Sequence, residues 1–145
     1  MMAPMLGTFQ LHQRTFRVSS AVLSRGERSW TLDIETEAQV FDGESWAPYL
    51  YHHGLRLPVG DVQALQGEVL SWHTSADEGY PHPEMGALYV FSHHETCQSR
   101  LGFGRVQGDH IELVWEGVAD VLWDTAPGGY GAAVPFVCHC VARIE

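Results

Sequence analysis

Nine histidines and 18 carboxylates are spread through this 145-residue chain, and several stand close enough together to suggest chemistry. His52-His53, His93-His94-Glu95 and Cys138-His139-Cys140 carry the donor atoms that a divalent cation takes. Zinc, however, recruits such residues at C-x-x-C, H-x-x-x-H or related spacings, and none of these occurs here. Neighbouring residues of a strand point to opposite faces. His52 and His53 are therefore poorly placed to share one ion, and His139 turns away from its flanking cysteines. Neither a metal site nor a cofactor is expected.

Nucleophilic chemistry has little more support. There is no G-x-S-x-G elbow, and Cys97 stands near His94 and Glu95 without a recognisable signature. Cys138 and Cys140 share the face of Phe136 and Ile144, which makes them core residues rather than nucleophiles. Gly102-Phe103-Gly104 and Gly128-Gly129-Tyr130-Gly131 read as turns and bulges, since neither opens a helix after a strand. No catalytic residue is expected.

Carboxylates and aromatics remain. Glu112 and Glu116 fall opposite the apolar face formed by Ile111, Leu113 and Trp115, while Asp120 and Asp124 flank Val121-Leu122-Trp123. Acid/base work by such groups requires burial and separation that drive their pKa values apart. Asp120 is read instead as a structural acid that accepts backbone N–H groups in a bend. Of five tryptophans, Trp30 and Trp115 fit a core face. Trp46, beside Pro48, Tyr49 and Tyr51, reads as an exposed anchor, and tryptophan and tyrosine dominate binding hot spots. Glu116, Asp120, Asp124, Trp46, Tyr49 and Tyr51 are therefore the expected partner-binding residues.

The elements that must carry these groups are strands. Phe16, Val18, Ser20 and Val22 occupy one alternating face, and Trp30, Leu32 and Ile34 occupy another, so the chain opens with a hairpin. Asp61 is placed to cap a short helical turn through Leu65 that Gly67 ends. Residues 77–86 read as a polar loop, and Ala87–His93 as a strand. Arg100–Val106 and His110–Trp115 form the clearest hairpin, with a bulge expected at Gly117. Phe136–Ile144 is the last strand. The sum is roughly eight or nine strands with short links, an antiparallel β-barrel or β-sandwich with at most one short helix. Residues 1–145 form one domain, near the commonest domain size.

Charge narrows the partners. Eighteen acids stand against eight bases, all arginine, for a net charge of −10. Such a surface repels phosphate backbones and anionic lipid and attracts a basic protein. No run approaches the roughly 18 apolar residues of a membrane span, and the first residues lack the pattern of a secretory signal. Three cysteines are too few and too oddly spaced for a disulfide framework, so a reducing cytoplasm is expected.

The string Trp115-x-Gly117-x-Ala119-Asp120-Val121-x-Trp123-Asp124, followed by Tyr130-Gly131 and Val134-Pro135-Phe136, resembles small bacterial β-rich proteins of the toxin-immunity type. The resemblance covers the C-terminal third, with an echo in Tyr89-Val90-Phe91-Ser92-His93. It implies a non-enzymatic inhibitor that binds a toxin domain. The acidic charge suits a basic, nuclease-like target. The alternatives are a barrel holding a small ligand in its interior and a metal-assisted hydrolase using His93, His94 or His52.

Overall fold

The computed structural model describes residues 6–41, 43–58, 60–72, 86–90, 92–119 and 134–145. Eleven strands are present among these residues: β1 (Gly7–Leu11), β2 (Arg14–Arg25), β3 (Trp30–Thr36), β4 (Gln39–Phe41), β5 (Glu44–Trp46), β6 (Tyr49–Leu55), β7 (Val69–Trp72), β8 (Ala87–Val90), β9 (Ser92–Gln107), β10 (His110–Ala119) and β11 (Val134–Ile144). Nine of them form one sheet in the order β10-β11-β1-β2-β3-β6-β8-β9-β7, with β4 and β5 as a separate hairpin. A further pairing joins β10 to β9, so the sheet curls back on itself into a barrel-like all-β fold. The neighbours pair antiparallel, apart from a short parallel contact between β11 and β2 at Arg143–Val22 and Ile144–Leu23. One turn of 3₁₀ helix spans Val62–Leu65, and its cap is the expected one. Asp61 accepts a hydrogen bond from the Gln63 N–H at 3.0 Å, and Gly67 follows at a φ of +87°. No helix among the described residues is long and apolar enough to cross a membrane.

Alternation builds the core. Trp30, Leu32 and Ile34 of β3, Phe9 and Leu11 of β1, and Ile111, Leu113 and Trp115 of β10 all point inward and are buried. Phe136, Cys138, Cys140 and Ala142 do the same from β11. Burying each large apolar side chain stabilises the fold by about 1.5–3 kcal/mol, and three of the buried indoles keep a partner for their polar tips. The indole N–H of Trp30 donates to the Pro58 carbonyl at 3.0 Å, that of Trp72 to the Thr96 carbonyl at 3.1 Å, and that of Trp115 to Ser99 Oγ at 3.4 Å.

Two departures from simple alternation are informative. On β2, Phe16 and Val18 face inward as expected, but the next inward residues are Ala21 and Leu23 rather than Ser20 and Val22. The register against β3 shifts between Val18 and Ser20, and this bulge exchanges the two faces of the strand. On β10 the expected irregularity at Gly117 is present, but the extra residue belongs to the partner strand. Glu116 opposes Arg100 while Val118 opposes Cys97.

Candidate functional site

Two surfaces gather polar and aromatic side chains on the outside of the curl, and they lie on different strands. The first is on β3 and β6. Because Leu32, Ile34, Leu50 and His52 point inward, Asp33, Glu35, Tyr49, Tyr51 and His53 are turned outward on the same two strands. Asp33 stands opposite Tyr51, and Glu35 opposite Tyr49. Tyr49 and Tyr51 stack with ring centroids 4.9 Å apart, and His53 follows Tyr51 at 4.8 Å. On the far side Tyr89 of β8, 39% exposed, is in register with Tyr49.

One carboxylate oxygen ties this ladder together. Asp33 Oδ1 accepts a short hydrogen bond from the Tyr49 hydroxyl and lies 2.9 Å from His53 Nε2. An ionised carboxylate only accepts, so both partners donate to it, which fixes the proton of His53 on Nε2. Partial burial raises the Tyr49 phenol above the usual tyrosine range. The hydrogen bond to Asp33 and the charges of Asp33 and Glu35 push in the same direction. Tyr49 is therefore a neutral donor at physiological pH. The result is a row of aromatic rings edged by two acids, whose chemistry suits ion pairing and cation–π contact with a cationic side chain.

The second surface is an open cleft of about 480 Å³ across β1, β11, β10 and β9. Gln10 and His12 edge one side, Gln98 and Arg100 the other, with Glu116, Val118, Pro135 and Val137 between them.

These positions redraw the expected contact surface. Tyr49 and Tyr51 do share one outer face. Glu116 is exposed as expected, but on β10, separated from β6 by β9 and β8 where the sheet closes. Asp120 and Asp124 lie outside the described residues. Trp46 is a correction: it is 5% exposed and belongs to the core, not to the surface. Its ring meets Phe41 edge-on at 6.1 Å, Phe41 meets Phe16 at 5.6 Å, and Arg14 lies over both the Phe41 and Trp46 rings. The β4–β5 hairpin folds its aromatics down onto β2, which is why an indole in an irregular, proline-flanked segment is covered.

Asp33, His53 and Tyr89 were missed by the sequence reading. The signal for the first two was present: Asp33 alternates with Leu32 and Ile34, and His53 with Leu50 and His52, so both must face out. What no single strand discloses is that the register brings them together.

The histidines hold different positions. His52 is fully buried, accepts the Gly54 N–H on Nδ1 at 3.1 Å, and meets Trp72 edge-on at 5.4 Å. The backbones of His93 and His94 run along β9. Among the described residues no group of three or more His, Cys, Asp or Glu side chains converges as a metal site would. Cys138 and Cys140 are free thiols in the core. The hydrogen bond that the Cys140 thiol donates to Cys138, and then burial, hold Cys140 well above the ordinary thiol range, the reverse of an activated nucleophile.

Comparison with protein-family models, with curated proteins and with solved structures returned no match.

Proposed function

We propose that this chain is a non-enzymatic protein-binding module that docks a basic partner on the outer face of β3, β6 and β8. The observation that carries this reading is the Tyr49–Tyr51–His53 ladder with Asp33 and Glu35 beside it. Stacked rings offer large, preorganised contact area at little entropic cost, which is what binding hot spots are made of. The acids add a preference for arginine or lysine, and the net charge of −10 would speed the approach of a basic protein. A basic, nuclease-like toxin domain, neutralised by stoichiometric binding, is the partner class we favour. The resemblance of the C-terminal third and the charge both support it.

A ligand held in the barrel interior has less support. Trp30, Trp115, Phe9, Phe16 and Leu50, all fully buried, occupy the inside of the curl.

The test is comparative capture from the native cell extract, using the wild-type domain and a Tyr51→Ala/Glu35→Lys variant of unchanged circular dichroism. A basic protein held by the first, lost on the second and released by salt supports the reading, since rim charges act in a salt-dependent way. If that protein arrests growth when expressed, and co-expression of this chain relieves the arrest, the inhibitor role is supported. Equal retention on both baits would remove the ladder as the docking face.

A further inference from the structure

The cleft across β1, β11, β10 and β9 has three properties that a plain strand surface lacks. Its volume, about 480 Å³, falls within the range of small-molecule sites. It also collects backbone strain. Among the described residues the non-glycine positions with left-handed backbone are His12, at a φ of 54°, and Gln98, at 43°, and both line it. Such a conformation costs on the order of 1–2 kcal/mol, and residues held that way concentrate at ligand sites. His12 opens the two-residue turn between β1 and β2, which calls for such a φ, and its N–H donates to the Pro135 carbonyl at 2.9 Å. Gln98 sits at the bulge where β9 takes three residue steps against two on β10.

The third property is charge. Arg100 and Glu116 are directly opposed across the β9–β10 ladder, and both line the cleft. Opposite charges at such positions normally attract one another. Here neither takes an ion-pair partner among the described residues. The cleft thus presents one cationic and one anionic group side by side, both open to solvent. Val118 and Val137 lie between its polar rims, and the Gln10 and Gln98 amides supply further donors and acceptors.

We propose that this cleft binds a small zwitterion, a free α-amino acid. Arg100 receives its carboxylate, Glu116 its ammonium group, and the Val118–Val137 floor its side chain. A guanidinium matches a carboxylate with two parallel hydrogen bonds, and a carboxylate accepts from an ammonium, so each end of the ligand meets its complement. This proposal does not rest on the protein-docking reading, and the two surfaces can be tested apart.

The experiment is a two-dimensional amide NMR titration of the full chain with the twenty common amino acids. Each ligand that binds is repeated as its N-acetyl form, its carboxamide and its doubly capped form. Saturable shifts centred on Gln98, Arg100, Glu116, Val118 and Val137 are expected for at least one free amino acid. Affinity should fall about ten-fold or more when either end is capped, the scale of losing one charge-assisted contact. Arg100→Gln should abolish the penalty for amidating the carboxylate, and Glu116→Gln the penalty for acetylating the amine. Tyr51→Ala should leave both unchanged. Shifts that persist with the doubly capped ligand, or no saturable shift at these residues with any amino acid, would overturn the proposal.

Discussion

Arg14 lies across Trp46, its guanidinium carbon 4.3 Å from the ring centroid, and reaches Phe41 at 4.6 Å on the same hairpin. One side chain thereby fastens the β4–β5 hairpin to β2. Arg14→Ala is expected to cost about 1–2 kcal/mol, as a partly desolvated cation–π contact does, and to shift Trp46 emission to the red as water reaches the ring. Arg14→Lys should recover only part, because an ammonium does not stack flat on two rings. Urea unfolding followed by fluorescence reads both effects. Unchanged stability in Arg14→Ala would mean that the aromatics hold the hairpin without it.

Tyr49 gives the fold a dependence on alkaline pH. Its phenol is raised in the folded state above the ordinary value near 10. The unfolded chain thus loses this proton first as pH rises. The stabilisation linked to Tyr49 is complete below about pH 10 and is lost as pH climbs from there toward the folded-state value. Wild-type protein should lose denaturant resistance on that rise, and Tyr49→Phe should lose less. Parallel pH profiles for the two proteins would disprove the linkage.

Gly86 has no room for a side chain. A Cβ built there would stand 2.6 Å from Trp115 Cζ2 and 2.8 Å from Thr96 Oγ1, inside the core. Gly86→Ala should therefore destabilise by about 1–3 kcal/mol, the range of forced overpacking. Gly60→Ala, where nothing lies within 4 Å, is the matched control and should be neutral or slightly stabilising. Thermal melts of the pair would separate this packing effect from the general response to replacing glycine.

The paired thiols should be silent in the native protein. In a Cys97→Ser background, Cys138 and Cys140 are expected to resist a disulfide-exchange reagent at neutral pH and to react fully in denaturant, since both are buried and the Cys140 thiolate is disfavoured. Fast native labelling would show that β11 opens locally far more often than a central strand should.

Much of the architecture is legible from alternation: the β2–β3 hairpin, the β9–β10 hairpin and the inward faces of Trp30, Trp115, Phe136 and Cys138, while Asp61 announces its cap by residue type; β1, which precedes that first hairpin, is not anticipated. Alternation reports facing within one strand and nothing about which strands become neighbours. That is why alternation discloses Tyr49 and Tyr51 but not Asp33, which opposes Tyr51 in register and bonds the Tyr49 hydroxyl. It is also why alternation alone groups Glu116 with residues that β9 and β8 separate from it. The bulge at Ser19–Ser20 defeated the pattern directly, because one unpaired residue exchanges the two faces and no turn residue announces it. Trp46 was misread for a related reason: a proline-flanked segment looks exposed until a second hairpin strand is folded over it.

The pairing of β1 with β11 sets Gly7 opposite Cys140, so the strands that meet at this seam are almost as far apart along the chain as two residues can be. Ordering that seam means closing a very long loop before the contacts it makes can repay the lost entropy. Refolding from denaturant should accordingly run in milliseconds to seconds, as for other proteins dominated by distant strand pairings. On a ribosome β1 can pair with β2 early, but its other edge stays unsatisfied until the last strand has emerged. The interval in which β1 and β2 stand exposed is the period when this protein is most vulnerable to aggregation.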